Sequence, residues 1–330
     1  MDIFDDNLAQ ENSVSEDEAL EILNCHAEDM PRILAGASKI RFSGWGNSVR
    51  LCSILNAKSG GCGEDCAFCA QSSRHDAETE VYDLVSEDRI VEAFDRSSEF
   101  PLAGFSIVTS GKSMDDGRVR EICRAIHSRT DTCTRWCASL GSLTASQFVE
   151  LKRAGLERFH HNLETAGSFF PEICSTHTFE ERLQTLRRAR EAGLKLCSGG
   201  IIGIGESLEQ RVELAFTLKN EKVDSIPLNF HIPIGGTPLE NIEPLAPLDI
   251  LRVIAMFRLV NPAAEIIVCA GRLHLRDLQS MIFQAGATGM MVGSFLTVAG
   301  RGITDDLQMI KDLELDPRDR NGNDFTRRMD

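Results

Sequence analysis

Short apolar runs rich in β-branched residues alternate with amphipathic stretches along most of this chain. The runs fall at 49–56, 103–109, 133–140, 158–163, 194–201, 226–230, 265–269 and 289–292. Between them, 87–98, 118–128, 145–154, 179–192, 206–219, 248–257 and 276–285 carry apolar residues at helical spacing. Eight strands, each parallel to the last through a right-handed crossover, predict an α/β protein of (β/α)8 TIM-type barrel architecture, with a doubly wound open sheet as the alternative. Glycines sharpen the boundaries: Gly155, Gly193 and Gly286 each stand where a helix ends just ahead of a strand.

The flanks read differently. Ser15-Glu16-Asp17-Glu18 has the form of a capping box ahead of the apolar residues Ala19, Leu20, Ile22 and Leu23, which predicts a packing helix. The expected organisation is an N-terminal helical extension over 1–48, with residues to about 14 mobile, the barrel over 49–300, and a short tail over 301–330. The tail carries a helical stretch at 306–313 and packs on the barrel, its charged end partly disordered. No repeat, low-complexity tract or interdomain linker stands out.

At 330 residues the chain is long enough for about two domains, though a closed barrel of this size is commonly one. A hydrophobic fraction of 42% and a charged fraction of 26% are those of an ordinary globular protein. The net charge of -15, with acidic excess at both ends, speaks against nucleic acid or an anionic membrane as partner. No apolar run approaches ~18 residues, and the acidic start has no signal-peptide pattern. Eleven cysteines in such a chain point to a reducing cytoplasm rather than to a disulfide framework.

Cys62, Cys66 and Cys69 lie in a Gly-rich loop after the first strand. Three thiolates this close can face one point, and a tetrahedral zinc would need a fourth protein ligand that does not follow nearby. Soft sulfur donors with a missing fourth ligand suit an iron–sulfur cluster with one open iron. Barrel enzymes keep their reactive groups at the C-terminal ends of strands. The polar residues near those ends are Ser106, Cys137, His160 and Asn162 on one face, Cys197, Asn229, and Cys269 with Arg272 three residues on. Cys25, Cys52, Cys123, Cys133 and Cys174 read as structural, because free cysteine is among the most buried residue types.

The spacing C-x3-C-x2-C with Phe68 before the last cysteine resembles the signature of radical S-adenosylmethionine (SAM) enzymes. Further segments in order resemble, more narrowly, the biotin synthase family over 53–317. They are Ala70-Gln71-Ser72-Ser73-Arg74, Asn162-Leu163-Glu164-Thr165, Cys197-Ser198-Gly199-Gly200-Ile201, Asn229 with Gly236-Thr237-Pro238-Leu239, and Ala270-Gly271-Arg272. The resemblance implies a 4Fe-4S cluster on Cys62, Cys66 and Cys69 whose open iron holds SAM and cleaves it to a 5'-deoxyadenosyl radical. It also implies an auxiliary iron–sulfur cluster, usually 2Fe-2S on three cysteines and an arginine, that gives up sulfide to dethiobiotin. Hydrogen abstraction at C9, capture by sulfide, a second abstraction at C6 and ring closure would follow.

Cys137, Cys197 and Arg272 match three auxiliary ligands, whereas Ser106 stands where the family has its remaining cysteine. Cys269 is expected to take over as the third thiolate, giving a 2Fe-2S cluster or a variant of it. By the same resemblance Glu164 meets the SAM ribose and Arg182 its carboxylate. Gly199, Ile201 and Gly203, within the pattern G-x-I-x-G-x-x-E, receive its adenine. Asn162 and Asn229 supply amides to the dethiobiotin urea, and His160 replaces an amide beside them. The implied partners are a flavodoxin or ferredoxin as electron donor, the iron–sulfur assembly machinery and a second copy of the chain in a homodimer. Competing readings are another radical SAM barrel enzyme, a mutase or a maturase, and a non-catalytic iron–sulfur carrier.

Overall fold

The strand alternation closes on itself. In the computed structural model, which describes residues 14–130, 132–293, 296 and 300–317, the strands are β1 (Arg50–Lys58), β2 (Gly104–Thr109), β3 (Arg135–Ser139), β4 (Arg158–His160), β5 (Lys195–Cys197), β6 (Gly200–Ile202), β7 (Ser225–Phe230), β8 (Glu265–Val268) and β9 (Gly289–Met291). All pairings between them are parallel, in the order β5-β4-β3-β2-β1-β9-β8-β7-β6, and β7 also bonds β5, so no edge is left. β5 and β6 are two halves of one stave, which makes an eight-stave barrel of TIM type. The break falls at Ser198-Gly199, where a Cβ on Gly199 would lie 1.9 Å from the Pro227 carbonyl oxygen, so only glycine lets the strands approach this closely.

Period two along each strand sorts the core from the cavity. Phe105 and Ile107 on β2 and Trp136 and Ala138 on β3 face the helices and are buried, while Gly104, Ser106, Cys137 and Ser139 line the interior. Phe94 of α3 (Glu87–Ser97, after the N-terminal helices α1, Glu16–Asn24, and α2, Met30–Trp45) stacks on Trp136 at 3.9 Å between ring centroids.

Helices begin where the sequence supplies a cap. Asp115 starts α4 (Asp116–His127), Thr144 starts α5 (Ala145–Ala154), and α6 (Phe170–Ile173) is a single turn. Thr178 starts α7 (Phe179–Glu191) and Ser207 starts α8 (Leu208–Asn220), each capping side chain accepting a backbone N–H one turn on. The last helices are α9 (Pro247–Val260), α10 (Met281–Gln284) and α11 (Ile303–Asp312). The expected capping box at Ser15 and Glu18 is present, and α1 packs on α8 and α9.

Two expectations change. The helix expected over 276–285 is a 3-10 stretch, Arg272–Leu278, followed by α10, because Arg276 turns out of helical conformation at φ 51°. The fourth strand ends at His160, and Glu164 beyond it takes a left-handed φ of 69°. The mobility expected before residue 14 and the partial disorder expected at the charged end lie outside the described residues.

Candidate active site

The loop after β1 folds back on itself because its backbone bonds leave little choice. Cys62 N–H donates to Gln71 O at 3.0 Å, Ser73 N–H to Cys62 O at 2.7 Å and Cys69 N–H to Cys66 O at 2.9 Å. Gly60, at φ 67°, lies so close to Val81 that a Cβ would sit 2.6 Å from its methyl carbon. The result turns Cys62, Cys66 and Cys69 onto the wall of one cavity of about 420 Å³ that runs into the barrel. All eleven cysteines are free. Burial raises the Cys69 thiol to about 11, and the Cys174 contact followed by burial pushes Cys66 far up, so metal binding here must release protons.

Beside the triad, Arg182 reaches three acceptors: Asn162 O at 2.6 Å, His177 Nε2 at 2.9 Å and Glu164 Oε1 at 2.9 Å. Asn162 donates to Glu164 Oε2 at 3.2 Å and accepts Gly199 N–H at 3.1 Å. The left-handed backbone of Glu164 is therefore held from both sides, and its strain aims a carboxylate at the cavity mouth. Ile201 lines the cavity and bonds Glu164 O through its N–H at 2.7 Å. Gly203 donates to Glu206 Oε1 at 2.8 Å, and this carboxylate closes the glycine-rich turn rather than facing the cavity. Gly199 likewise serves the close approach of strands and not the cavity wall.

Farther along, His160 and Asn229 join the wall. Asn229 spans two strands, donating to Gly200 O and accepting Ala270 N–H, each at 3.2 Å. Burial holds the His160 imidazole down to about 4, so it is neutral at physiological pH, with Nδ1 3.4 Å from Cys197 Sγ.

The same cavity also collects Cys52, Ser106, Cys137 and Cys197 from the strands and Cys269 from just after β8. Cys52, read from the sequence as structural, instead belongs with the inward thiols. Its sulfur and that of Cys137 lie 3.5 and 3.4 Å from where a Gly104 Cβ would be, with Arg50 Nη2 at 3.2 Å, so glycine keeps open the hollow they share. Cys197 is near enough to raise the pKa of Cys52, Cys137 and Cys269 in turn, although burial is the largest cause for each. Four soft donors around one hollow fit an iron–sulfur cluster. Arg50 and Arg158 stand over the same thiols and share Glu265, at 3.6 and 2.6 Å.

Arg272 does not join this group. Its Nη2 bonds Asp306 Oδ2 at 2.6 Å and its Nη1 bonds Gln279 Oε1 at 2.7 Å, with Arg272 and Asp306 both sealed from water. The guanidinium expected to serve as cluster ligand instead pins α11 to the barrel. Cys174, also read as structural, lies 3.9 Å from Cys66 Sγ and 3.2 Å from His177 Nδ1. Cys52 and Arg50 could have been found from the period-two pattern of β1, in which 50, 52 and 54 point inward. Nothing local marks Cys174 and His177.

Residues 57–218 match the Radical SAM superfamily and residues 227–316 match the Biotin and Thiamin Synthesis associated domain. The chain is 48% identical over 307 residues to the biotin synthase of Maridesulfovibrio salexigens, covering 93% of this chain and 94% of that one. It is 46% identical over 314 residues to the biotin synthase of Geobacter sulfurreducens, covering 94% and 95%. Among solved structures, methylornithine synthase superposes with a TM-score of 0.83 at 18% identity, covering 96% of this chain and 97% of that one. The hydrogenase maturase HydG superposes at 0.78 and 15% identity, covering 92% and 72%. At those identities the shared property is the fold.

Proposed function

We infer that this chain, which belongs to the biotin synthase family of radical SAM enzymes, converts dethiobiotin to biotin by inserting sulfur within the barrel cavity. The family uses a 4Fe-4S cluster, SAM and an auxiliary iron–sulfur cluster. One observation carries the reading: a single cavity is lined by the three thiols of the loop and by four more, Cys52, Cys137 and Cys197 on strands and Cys269 just after β8, together with the neutral polar side chains of His160, Asn162 and Asn229.

When bound, the clusters and SAM supply the electron, the hydrogen-abstracting radical and the sulfur; the protein's part is position and exclusion of water. In our reading Cys62, Cys66 and Cys69 hold the SAM-cleaving cluster. Arg182, presented as a fork by Asn162, Glu164 and His177, receives the SAM carboxylate, and Glu164 receives the ribose. Ile201 packs on the adenine, with Gly199 and Gly203 shaping the turn behind it. Cys52, Cys137, Cys197 and Cys269 hold the auxiliary cluster, with the Ser106 hydroxyl beside them and Arg272 outside the ligand set.

Asn162, Asn229 and His160 face the substrate. Each amide nitrogen keeps a second hydrogen after its protein contact, and neutral His160, its Nδ1 engaged by Cys197 Sγ, keeps Nε2 to donate or accept, which suits an uncharged urea. A flavodoxin or ferredoxin as electron donor, resupply by the iron–sulfur assembly machinery and a homodimer complete the proposal. No helix among the described residues is long and apolar enough to cross a membrane, and free thiols throughout support a cytoplasmic setting.

The test is anaerobic turnover of reduced protein with SAM. Dethiobiotin should stimulate 5'-deoxyadenosine formation and yield biotin by mass analysis. Cleavage that ignores dethiobiotin would instead indicate a different radical SAM enzyme, and no cleavage at all would indicate a carrier.

A further inference from the structure

The loop that bears the triad is clamped from behind by the turn after α6. Ala67 N–H donates to Ile173 O at 2.8 Å. Asp65 Oδ1 accepts the backbone N–H of Ser175 at 3.0 Å and of Thr176 at 3.2 Å. Ala67, Phe170, Ile173, Cys174 and Ile204 form a small buried apolar cluster around this joint. Cys174, 5% exposed, is thereby fixed with its sulfur 3.9 Å from that of Cys66.

Its orientation follows from His177. Arg182 Nη1 can only donate, so His177 Nε2, at 2.9 Å, is the acceptor, and the ring proton sits on Nδ1. That N–H points at Glu64 Oε2, 2.5 Å away, and at Cys174 Sγ, 3.2 Å away. With the Cys174 sulfur accepting on that side, its own S–H donates to Asp65 Oδ1 at 3.3 Å, while the Cys66 S–H donates to Cys174 Sγ at 3.9 Å; once Cys66 gives up that proton, the Cys174 S–H is the hydrogen left to bridge the two sulfurs. Asp65 Oδ1 already accepts two backbone donors and contacts the Thr176 hydroxyl at 3.0 Å. Cys66, a thiolate once it binds iron, is the acceptor still in need.

We propose that Cys174, held by His177, donates an S–H hydrogen bond to the Cys66 thiolate and thereby sets the reduction potential of the SAM-cleaving centre. The proposal rests on the reading that Cys62, Cys66 and Cys69 hold that cluster. A hydrogen bond to a ligand sulfur draws charge away from the iron and favours the reduced, more negative state, so it raises the potential. The centre then accepts its electron from a weaker reductant. Because His177 also bonds Arg182, one imidazole orients both this thiol and the residue assigned to the SAM carboxylate.

The experiment is a potentiometric titration of the reconstituted full-length enzyme followed by electron paramagnetic resonance, with iron counted for each sample. The signal that changes on adding SAM identifies the centre. Cys174→Ala should keep the triad's iron but move its midpoint to a more negative potential, and Cys174→Ser, which still offers a donor, should recover part of the shift. An unchanged midpoint in the alanine variant overturns the proposal. So does loss of triad iron in both variants, which would make Cys66, Cys174 and His177, whose donor atoms lie within 4.8 Å of one another, a metal-binding set in their own right. Should the variants fail to fold, wild-type enzyme decides: its iron–thiolate stretching bands should shift between H2O and D2O, and identical spectra overturn the bond. Wild type with no cluster on the triad would instead sink the site reading itself.

Discussion

Replacing Gly104 by alanine should separate the stability of the barrel from its capacity to hold the auxiliary cluster. Gly104 pairs with Cys52 on β1 and Arg135 on β3 and does not have the positive φ that would require glycine. Alanine therefore meets no backbone penalty, and loss of glycine's freedom in the unfolded chain favours folding by about 0.4–1 kcal/mol. The new methyl would stand 3.2 Å from Arg50 Nη2, 3.4 Å from Cys137 Sγ and 3.5 Å from Cys52 Sγ. Neighbours at those distances adjust by a few tenths of an ångström, so the metal-free protein should unfold at the wild-type temperature or slightly above. A cluster is less forgiving, because metal–sulfur bonds of about 2.3 Å put iron in the hollow the methyl would fill. Overpacking typically costs about 1–3 kcal/mol. At about 1.4 kcal/mol per factor of ten, affinity for the auxiliary cluster falls roughly 5- to 150-fold. Anaerobic reconstitution with iron and sulfide counted per chain, beside calorimetry of the metal-free protein, reads both effects. The triad's iron should remain and the rest be lost. Full iron and sulfide content in the alanine variant would refute the reasoning, as would a metal-free variant several degrees less stable.

Three further outcomes are expected. Asp306→Ala strands the buried Arg272 guanidinium and should cost about 3–5 kcal/mol in urea unfolding, with most of it regained when Arg272→Met is added; an Arg272→Met variant that kept its stability but lost auxiliary iron would contradict the structural role. Arg182→Lys keeps the charge but cannot serve three acceptors at once, so SAM should bind about tenfold more weakly, near 1.5 kcal/mol, and equilibrium dialysis showing equal affinity would count against the assignment. Burial holds the His231 imidazole below its ordinary pKa, while its Nε2 lies 3.1 Å from Leu239 O. The unfolded chain then takes up this proton first, so stability is level above about pH 6.5 and falls as pH drops below it. His231→Gln should make that fall shallower in denaturation midpoints, the remainder coming from the buried His160 and His161, and parallel curves for the two proteins would show that His231 contributes nothing.

Much of this was legible in the sequence wherever the information is local. The stretch 145–154 is α5 to the residue because Thr144 caps it and Gly155, at φ 112°, ends it. The triad and the inward residues His160, Asn162 and Asn229 follow from motif and strand period. What escaped depends on contacts between distant segments. Arg272 meets Asp306 only because α11 returns to the barrel 34 residues later. Cys174 reaches Cys66 across 108 residues, through a turn that no spacing announces. Cys52 is the intermediate case. Its inward position was readable from β1, but a lone cysteine in a strand looks like core until the neighbouring strands bring other thiols to it.

The charges beside Cys52 explain why that region suits metal better than a packed core. Arg50 and Arg158 set two guanidiniums against the one carboxylate of Glu265, which leaves a net positive charge in the interior. Arg158 Nε is buried without a partner among the described residues. In a barrel with neutral thiols this is an unfavourable arrangement, since buried charge is tolerated only when matched. Burial pushes Cys52, Cys137 and Cys197 toward the protonated state, and the two arginines pull all three the other way. Deprotonation on binding iron supplies the missing negative charge and turns a strained cationic pocket into a balanced one. Loading this end of the cavity should therefore stabilise the fold by more than loading the half-exposed loop triad, and the metal-free enzyme should open first where the guanidiniums stand.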